Sequence, residues 1–342
     1  MDGNRREYGM DLVKAVAVTG VVVTHVSANF GDGFGVPQWL QTQCWASPAR
    51  MCVPLFLMCT GALQLPPERP MTLRKLWGRS LPRLAAAMYF WAMLYMVYGL
   101  VVSGQLSAAA LWQGMKKVLL LDQEFHLYYL HIALLVYALL PLLRLLTVPK
   151  REAELWYALG IWFLLGIVYP TVRGFWPFTL LRGIPVQWML NMAWAASGYA
   201  LLGCALRRRP LPGAAAWGAF AGGLLLTYFG TWGLSAAAGS TVLTLQQGMS
   251  PGAAAMAAGA FSLCIRARAP RRGARFVQDL GRASFCIYLV HIFFVRVAMP
   301  LLLRLPVPRL VSIPVGTLAV LAPSFLVWLV LRRIPWVRRW LI

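Results

Sequence analysis

Residues 10–30 read MDLVKAVAVTGVVVTHVSANF, and this segment carries the strongest indication of how the chain folds. It is apolar and long enough to cross a bilayer as one helix, yet it contains Lys14 and His25. These two residues are eleven positions apart, which places both on one face of a helix with a rise of about 16 Å between them. Because ionisable groups at membrane depth are costly, the pair predicts a functional site.

Apolar stretches of similar length recur along the whole chain. Of the 342 residues, 60% are hydrophobic and 12% are charged, whereas about 25% of the residues in soluble domains are charged. We therefore predict an all-α, polytopic integral membrane protein in which residues 1–342 form one membrane-embedded domain, with no separate soluble domain. A short amphipathic segment at 107–121 predicts a helix at the membrane surface. The ten predicted membrane spans lie at about 10–30, 44–65, 81–103, 126–147, 153–171, 184–206, 213–236, 248–266, 282–303 and 311–331.

The basic residues indicate how the chain is oriented. The chain has 32 Lys and Arg residues against 10 Asp and Glu residues, which gives a net charge of +22. With both termini in the cytoplasm, 24 of the 32 basic residues fall on the cytoplasmic side and 8 on the other, as the positive-inside rule requires. The charge therefore indicates topology and contact with membrane lipids rather than a nucleic acid partner.

The first two spans bring a histidine and an arginine to a similar depth. His25 and Arg50 are predicted to lie about 7 Å and about 9 Å below the same membrane face. Histidine can accept a proton from a hydroxyl near neutral pH, and arginine can stabilise an oxyanion or hold a charged acyl donor. This combination suits acyl transfer to an alcohol. The predicted catalytic residues are His25, Lys14, Arg50 and Asp11, with Asp11 close enough along the helix to pair with Lys14.

Two further segments place polar residues inside spans. The segment EFHLYYLH at 124–131 and the segment SFCIYLVH at 284–291 each contain aromatic residues and histidine. For any single histidine, a hydrogen-bonded structural role is the commoner alternative. The predicted substrate-binding residues are Glu124, His126, Tyr129, Tyr288 and His291.

The sequence gives no indication of a metal enzyme: it contains no HExxH motif, and its six cysteines form no CxxC pair. We also predict that the chain is not a serine hydrolase, although GMSPG at 248–252 fits the GxSxG pattern. His126 and His131 are five positions apart, which is poor spacing for two ligands on one helix face. We predict that no metal is bound.

The loop at 66–83 is strongly basic and leads into the third span. Its residues Lys75, Arg79 and Arg83 are predicted to bind the phosphates of coenzyme A, which is cytosolic and polyanionic. Arg79 and Arg83 are four positions apart and would share a helix face. The alternative is that this loop only anchors the topology.

Four segments together resemble the acyltransferase-3 family of integral membrane acyltransferases. The first span resembles the family's opening helix, in which a basic residue, ten others and a histidine follow one another, here with Lys14 where arginine is commoner. In the second span Thr60 replaces the usual serine. The remaining matches are Arg50, Val53, Pro54, Phe56 and Gly61 in the second span, His126, Leu127, Tyr137 and Pro141 in the fourth, and Ser284, Tyr288 and His291 in the ninth.

The resemblance implies acetyl-CoA as the cytosolic acyl donor and a sugar hydroxyl beyond the bacterial inner membrane as the acceptor. It is greatest to the stand-alone type, which O-acetylates surface polysaccharides such as the enterobacterial common antigen, and it implies that His25 and Lys14 are essential. The acceptor could be a polysaccharide, a lipid-linked sugar or a peptidoglycan precursor, and the acyl group acetyl or succinyl. A transporter or flippase of a glycan or lipid without acyl transfer is the alternative, since buried charges in ten spans also fit it.

Overall fold

The computed structural model describes residues 7–122, 124–181 and 183–342, and these residues form helices and no β-strand. Short π-helical turns occur at Leu76–Ser80 and Phe163–Val168, and 3-10 turns at Phe125–Leu127, Phe178–Leu180 and Thr244–Gln246. The α-helices are α1 (Tyr8–Asn29), α2 (Pro37–Ala49), α3 (Cys52–Gln64), α4 (Leu73–Lys75), α5 (Leu81–Val102), α6 (Ala108–Leu119), α7 (Tyr128–Arg144), α8 (Glu152–Trp162), α9 (Tyr169–Val172), α10 (Ile184–Gln187), α11 (Met192–Arg208), α12 (Gly213–Ala238), α13 (Pro251–Arg266), α14 (Ala274–Leu302), α15 (Arg309–Leu331) and α16 (Pro335–Trp340).

Eight helical segments in the described part of the chain are long and apolar enough to cross a membrane. The prediction of an all-α, multi-pass membrane protein is therefore confirmed. Helices α11 and α12 occupy the sixth and seventh predicted spans but are not among the eight, because α11 has only 17 residues and α12 is rich in small residues. Ten crossings, and both termini in the cytoplasm, stay predictions.

The second predicted span is interrupted at Arg50. Helix α2 ends at Ala49 and α3 begins at Cys52. Proline at position 54 has no N–H for a bond to the carbonyl of residue 50, and its ring crowds that carbonyl. The interruption places Arg50 where two helical segments meet, with its side chain half-buried.

Several predicted span boundaries differ from the ends of the observed helical segments. The sixth span was predicted to begin at residue 184, but the long helix begins at Met192. Asn191 accounts for this start, since its side chain accepts hydrogen bonds from the backbone N–H groups of Ala193 and Trp194, at 3.1 and 3.2 Å, and so caps the helix. Helix α14 begins at Ala274, eight residues before the predicted start.

Helix α1 lies in the middle of the bundle and contributes to both hydrophobic cores. Val13 packs in a core with α3, α11 and α13, whereas Val18 and Val22 pack in a second core with α5, α14 and α15. The approach of α14 is close, because a Cβ added at Gly281 would meet the backbone of Asp11 at 2.6 Å. This packing fixes α1, and with it His25, beside α14.

Arginines at one end of the bundle bind backbone carbonyl groups. Arg207 donates to the carbonyl of Ala62 at 2.5 Å and to the carboxylate of Glu7 at 2.6 Å. Arg144 donates to the carbonyl of Arg69 at 2.7 Å. These contacts satisfy groups left unpaired at helix ends. We call this end, where α1 begins, the basic end.

A separate ion pair stabilises the opposite end of the helical bundle. Arg309, at the start of α15, donates to both carboxylate oxygens of Asp32 at 2.9 and 3.2 Å. Thr42 in α2 donates to the same carboxylate at 2.6 Å. Three segments are thereby joined near the end of α1 that carries His25.

Candidate active site

Three of the four histidines meet between α1, α7 and α14. The ring centroids of His25 and His291 are 5.0 Å apart, and those of His126 and His291 are 5.7 Å apart. We call His25, His126 and His291 the histidine cluster. The fourth, His131, is half-buried on α7 and makes no described ring contact with the cluster.

The hydrogen bonds of His291 define which of its nitrogens carries a proton. Nδ1 lies 2.7 Å from the carbonyl oxygen of Tyr288 and 3.2 Å from that of Ile287. A carbonyl can only accept, so Nδ1 carries the hydrogen, and Nε2 of the neutral ring is left with its lone pair. Nε2 is buried and has no hydrogen-bond partner among the described residues. His291 therefore offers a proton acceptor beside His25.

Both ring nitrogens of His126 are buried without a hydrogen-bond partner among the described residues, whereas His291 has only one such nitrogen. The His126 side chain is 1% exposed. The ring of Tyr95 packs against it edge-on, with 4.7 Å between centroids. Its backbone carbonyl accepts a hydrogen bond from the Tyr288 hydroxyl at 2.6 Å. Buried polar atoms without partners are uncommon, and they mark this cluster as a place where a substrate could bind.

Arg50 lies near the cluster and is held by a glutamine that the sequence analysis did not identify. Its guanidinium donates to Oε1 of Gln246 at 2.9 Å, and Gln246 in turn donates to Gln43. Arg50 is close enough to interact electrostatically with the His25 ring. Its Nε is buried and has no partner among the residues described. The guanidinium thus keeps a free donor for a negatively charged group.

A cavity of about 540 Å³ leads from the basic end towards the histidine cluster. Lys14, Arg83 and Arg282 line it near the helix ends, and Tyr129 and Tyr288 line it deeper in the bundle. No acidic side chain lines it within the described ranges. We call it the basic cavity, and its charge suits an anionic ligand.

Tyr288 stands between the basic cavity and the histidine cluster. It lines the cavity, and its ring centroid lies 6.2 Å from that of His291 and 6.3 Å from that of His126. Tyr129 packs against it at 5.4 Å. Along α14, His291 lies about 4.5 Å beyond Tyr288. The two tyrosines that were predicted to bind substrate thus form the inner wall of the cavity.

The three residues that were predicted to bind coenzyme A do not line one common cavity. Arg83 lines the basic cavity and donates to the backbone oxygen of Ile342 at 2.6 Å. Lys75 is exposed and lines a cleft of about 30 Å³. Arg79 lies in the π-helical turn, is exposed, and is not among the residues that line the basic cavity. The π turn rotates the chain between these arginines, which breaks the four-residue repeat expected of an α-helix.

Lys14 and Asp11 also line a smaller cavity. Its volume is about 200 Å³, and Arg69 and Arg207 contribute to it. Lys14 belongs to both basic-end cavities, whereas the cluster lies near the other end of α1. This position favours contact of Lys14 with a donor over contact with His25.

Glu124 makes an ion pair at the opposite end. Arg296 donates to its two carboxylate oxygens at 2.8 and 2.9 Å. The guanidinium also lies over the rings of Tyr95 and Tyr98, at 5.7 Å from each centroid. Since Tyr95 contacts His126, this pair holds Glu124 at a fixed place relative to the cluster.

Arg282 and Gln246 are the residues near the site that the sequence analysis did not select. Arg282 was counted among the topology-determining charges, although it lies two residues before the SFCIYLVH segment. Gln246 lies in a short turn far along the chain from Arg50, and no sequence pattern links the two. No group of three or more His, Cys, Asp or Glu side chains that could hold a metal occurs in the described residues, and the absence of a metal stays a prediction.

The sequence matches the family model of an acyltransferase domain over residues 7–333. The chain belongs to the acyltransferase-3 family. Membership makes it a membrane acyltransferase with an acyl donor and an acceptor substrate, which disfavours a transporter or flippase without acyl transfer. No curated protein and no solved structure matches the chain. The finer resemblance to polysaccharide O-acetyltransferases stays a prediction.

Proposed function

We propose that the protein transfers an acetyl group from cytosolic acetyl-CoA to a hydroxyl of an extracytoplasmic or lipid-linked carbohydrate. In this proposal it is a multi-pass protein of a bacterial inner membrane, and the basic end faces the cytoplasm. The observation that carries the proposal is the 5.0 Å approach of His25 to His291, whose Nε2 has its lone pair available. A buried base next to a guanidinium suits acyl transfer.

The basic cavity would bind the donor. Lys14, Arg83 and Arg282 supply positive charge for the phosphates of coenzyme A. The thioester would lie deeper, against Tyr129 and Tyr288, which face the cluster from the cavity side. Arg83 would exchange its contact with the Ile342 oxygen for a phosphate.

His25 would act as the base. It takes the proton of the acceptor hydroxyl while the oxygen attacks the thioester carbonyl, and Arg50 stabilises the resulting oxyanion. When the intermediate collapses, the carbon–sulfur bond breaks and the coenzyme A thiolate receives the proton from His25. His291 stabilises the protonated ring by accepting a hydrogen bond at Nε2. Alternatively His25 attacks the thioester carbonyl, the carbon–sulfur bond breaks and coenzyme A leaves as the thiolate. The acetyl group then passes from the imidazole nitrogen to the hydroxyl oxygen, and the hydroxyl proton neutralises the thiolate.

Turnover of acetyl-CoA by the purified full-length protein tests this function. Chromatography of released coenzyme A gives the rate in lipid vesicles. We expect His25→Ala to lower it about 1,000-fold, whereas His131→Ala, a histidine outside the cluster, should turn over like the wild type. Equal rates for wild type and His25→Ala would refute the proposal. Mass spectrometry of acid-quenched protein then shows whether the peptide with His25 carries acetyl.

A further inference from the structure

A second cavity lies on the other side of the histidine cluster from the basic cavity. Its volume is about 300 Å³, and Met96 on α5, Gly114 and Lys117 on α6, and Phe125 before α7 contribute to its wall. Asp122 and Glu124 add two carboxylates. We call it the opposite pocket. Of its lining residues only Glu124 was predicted from the sequence to bind substrate, and the family match assigns no role to the pocket.

Phe125 connects the opposite pocket to the cluster. Its ring centroid lies 5.5 Å from that of His25 and 5.8 Å from that of His126. The side chain is 61% exposed, so it forms a thin partition rather than part of a packed core. His126, with both ring nitrogens buried and without a described partner, lies directly behind it. A ligand in the pocket therefore lies one side chain away from the groups that carry the chemistry.

The wall of the opposite pocket has the chemistry of a carbohydrate site. Carboxylates accept hydrogen bonds from hydroxyl groups, and the Lys117 ammonium donates them. The electron-rich face of an aromatic ring such as Phe125 attracts the C–H groups of a sugar ring. Glu124 is already oriented by Arg296. Pockets of about 300–1,000 Å³ are typical of small-molecule sites, so this pocket suits a single sugar unit and not a length of chain.

Helix α6 places the opposite pocket at a surface that can contact lipid. Trp112 is 53% exposed and Leu120 is 80% exposed. The ammonium of Lys116 lies over the Trp112 ring, 5.0 Å from its centroid, as is common for side chains at a membrane interface. The structure has a helix at Ala108–Leu119 within the segment 107–121; its position at the membrane surface stays a prediction, and from that surface an acceptor would reach the pocket from the side.

We propose that the opposite pocket binds one sugar unit of the acceptor, with Glu124 and Lys117 hydrogen-bonded to its hydroxyl groups. This inference deepens the proposed function and rests on it. One hydroxyl of the bound sugar would face Phe125 and the cluster beyond it, where His25 removes its proton. The sugar can come from a lipid-linked glycan or from a free one, because the recognised groups are the same.

The experiment measures two rates in one vesicle preparation of the full-length protein. One is release of coenzyme A from acetyl-CoA without an acceptor, and the other is acetylation of polyprenyl-linked glycan extracted from the host membrane. We expect Lys117→Gln and Glu124→Gln to lower the ratio of transfer to hydrolysis about tenfold, as for loss of a hydrogen bond to a charged group. Lys117→Arg, which keeps a donor, should restore most of the ratio.

Lys116→Gln is the matched control, since it removes the same charge one residue away and does not line the pocket. Its ratio should equal that of the wild type. A wild-type ratio in both Lys117→Gln and Glu124→Gln overturns the inference, as does a parallel fall of both rates. Failure of the wild type to use acetyl-CoA at all would instead overturn the proposed function.

A second arm distinguishes the two sources of the sugar. The same glycan is supplied either linked to its lipid or after mild acid has released it. Equal acetylation of both forms supports recognition of the sugar alone, and acetylation of only the lipid-linked form supports the pocket together with delivery along the membrane surface. Acetylation that does not depend on Lys117 with either form contradicts the inference.

Discussion

The basic cavity and the opposite pocket flank the same histidine cluster, but their walls carry different chemistry. The basic cavity is the larger, at about 540 Å³ against about 300 Å³, and its charged side chains are all basic within the described residues. The opposite pocket combines Lys117 with Asp122 and Glu124. The basic cavity therefore suits a polyanion, whereas the opposite pocket suits a neutral molecule with many hydroxyl groups.

The wall between the two cavities is aromatic on both sides. Tyr288 separates the basic cavity from the cluster, and Phe125 separates the opposite pocket from it. The histidine cluster lies between these two rings. If the basic cavity binds the donor and the opposite pocket binds the acceptor, substitutions in the histidine cluster must slow both hydrolysis of acetyl-CoA and transfer to the acceptor. Substitutions in one cavity must affect only the substrate that binds there.

After the loss of His25 itself, the largest effect is expected at His291, which belongs to neither cavity. In His291→Asn the side-chain amide can still donate to the Tyr288 carbonyl, but no lone pair remains at the position of Nε2. We expect the kcat of acetyl transfer to fall about 100-fold with little change in the KM for acetyl-CoA. Steady-state kinetics in vesicles check this, with His131→Asn as the control. A change in KM alone would assign His291 to binding.

The next largest effect is expected on the KM for acetyl-CoA when a basic residue that lines the basic cavity is replaced. Arg83→Ala removes a charge from the cavity wall, whereas Arg79→Ala removes one from the exposed turn outside it. We expect the KM for acetyl-CoA to rise about tenfold in Arg83→Ala only. Added salt should raise the KM of the wild type more than that of the variant. Equal effects of the two substitutions would mean that the cavity does not select the donor.

A smaller effect is expected where Arg50 is held in place. Gln246→Leu removes the side-chain oxygen that accepts from Arg50, and leaves the guanidinium without its described partner. We expect kcat to fall about fivefold through a less well-oriented arginine. Gln246→Asn keeps the same amide on a shorter side chain, so its kcat should fall less. An altered KM with unchanged kcat would show that Gln246 acts on binding and does not position Arg50.

The smallest effect on either cavity is expected from the packing of α12 on α13. A Cβ at Gly259 would meet the backbone of Ala216 and Phe220, whereas Gly233 has open space around it. We expect Gly259→Ala to destabilise the protein by about 1–3 kcal/mol, and Gly233→Ala to be neutral or slightly stabilising. Thermal unfolding in detergent measures this. The ratio of acetyl transfer to acetyl-CoA hydrolysis should be the same in Gly259→Ala and Gly233→Ala. A change in this ratio would show that the packing of α12 on α13 affects the candidate active site.

The sequence was sufficient to predict the helices that carry the site. Long apolar segments predicted the all-α membrane fold, and the positions of His25, His126 and His291 within spans or at their edges singled out the three histidines that the structure brings together. The structure adds which helices are neighbours. That depends on close packing such as Gly281 against Asp11, which no periodicity reveals.

Local backbone geometry explains what the sequence did not predict. The ring centroids of His25 and His291 lie 5.0 Å apart because α1 packs closely on α14, and the sequence pattern does not reveal the register of these two helices. Arg79 and Arg83 were expected on one α-helical face, and the π turn separates them. Gln246 and Phe125 belong to short turns whose conformation depends on tertiary contacts.

Transfer across the bilayer tests the central claim most directly. Vesicles with one orientation of the protein receive labelled acetyl-CoA only at the basic end, and the glycan acceptor only in the opposite compartment. We expect labelled acetyl on the glycan with the wild type and none with His25→Ala. Labelled glycan that forms only when donor and acceptor share one compartment would contradict it.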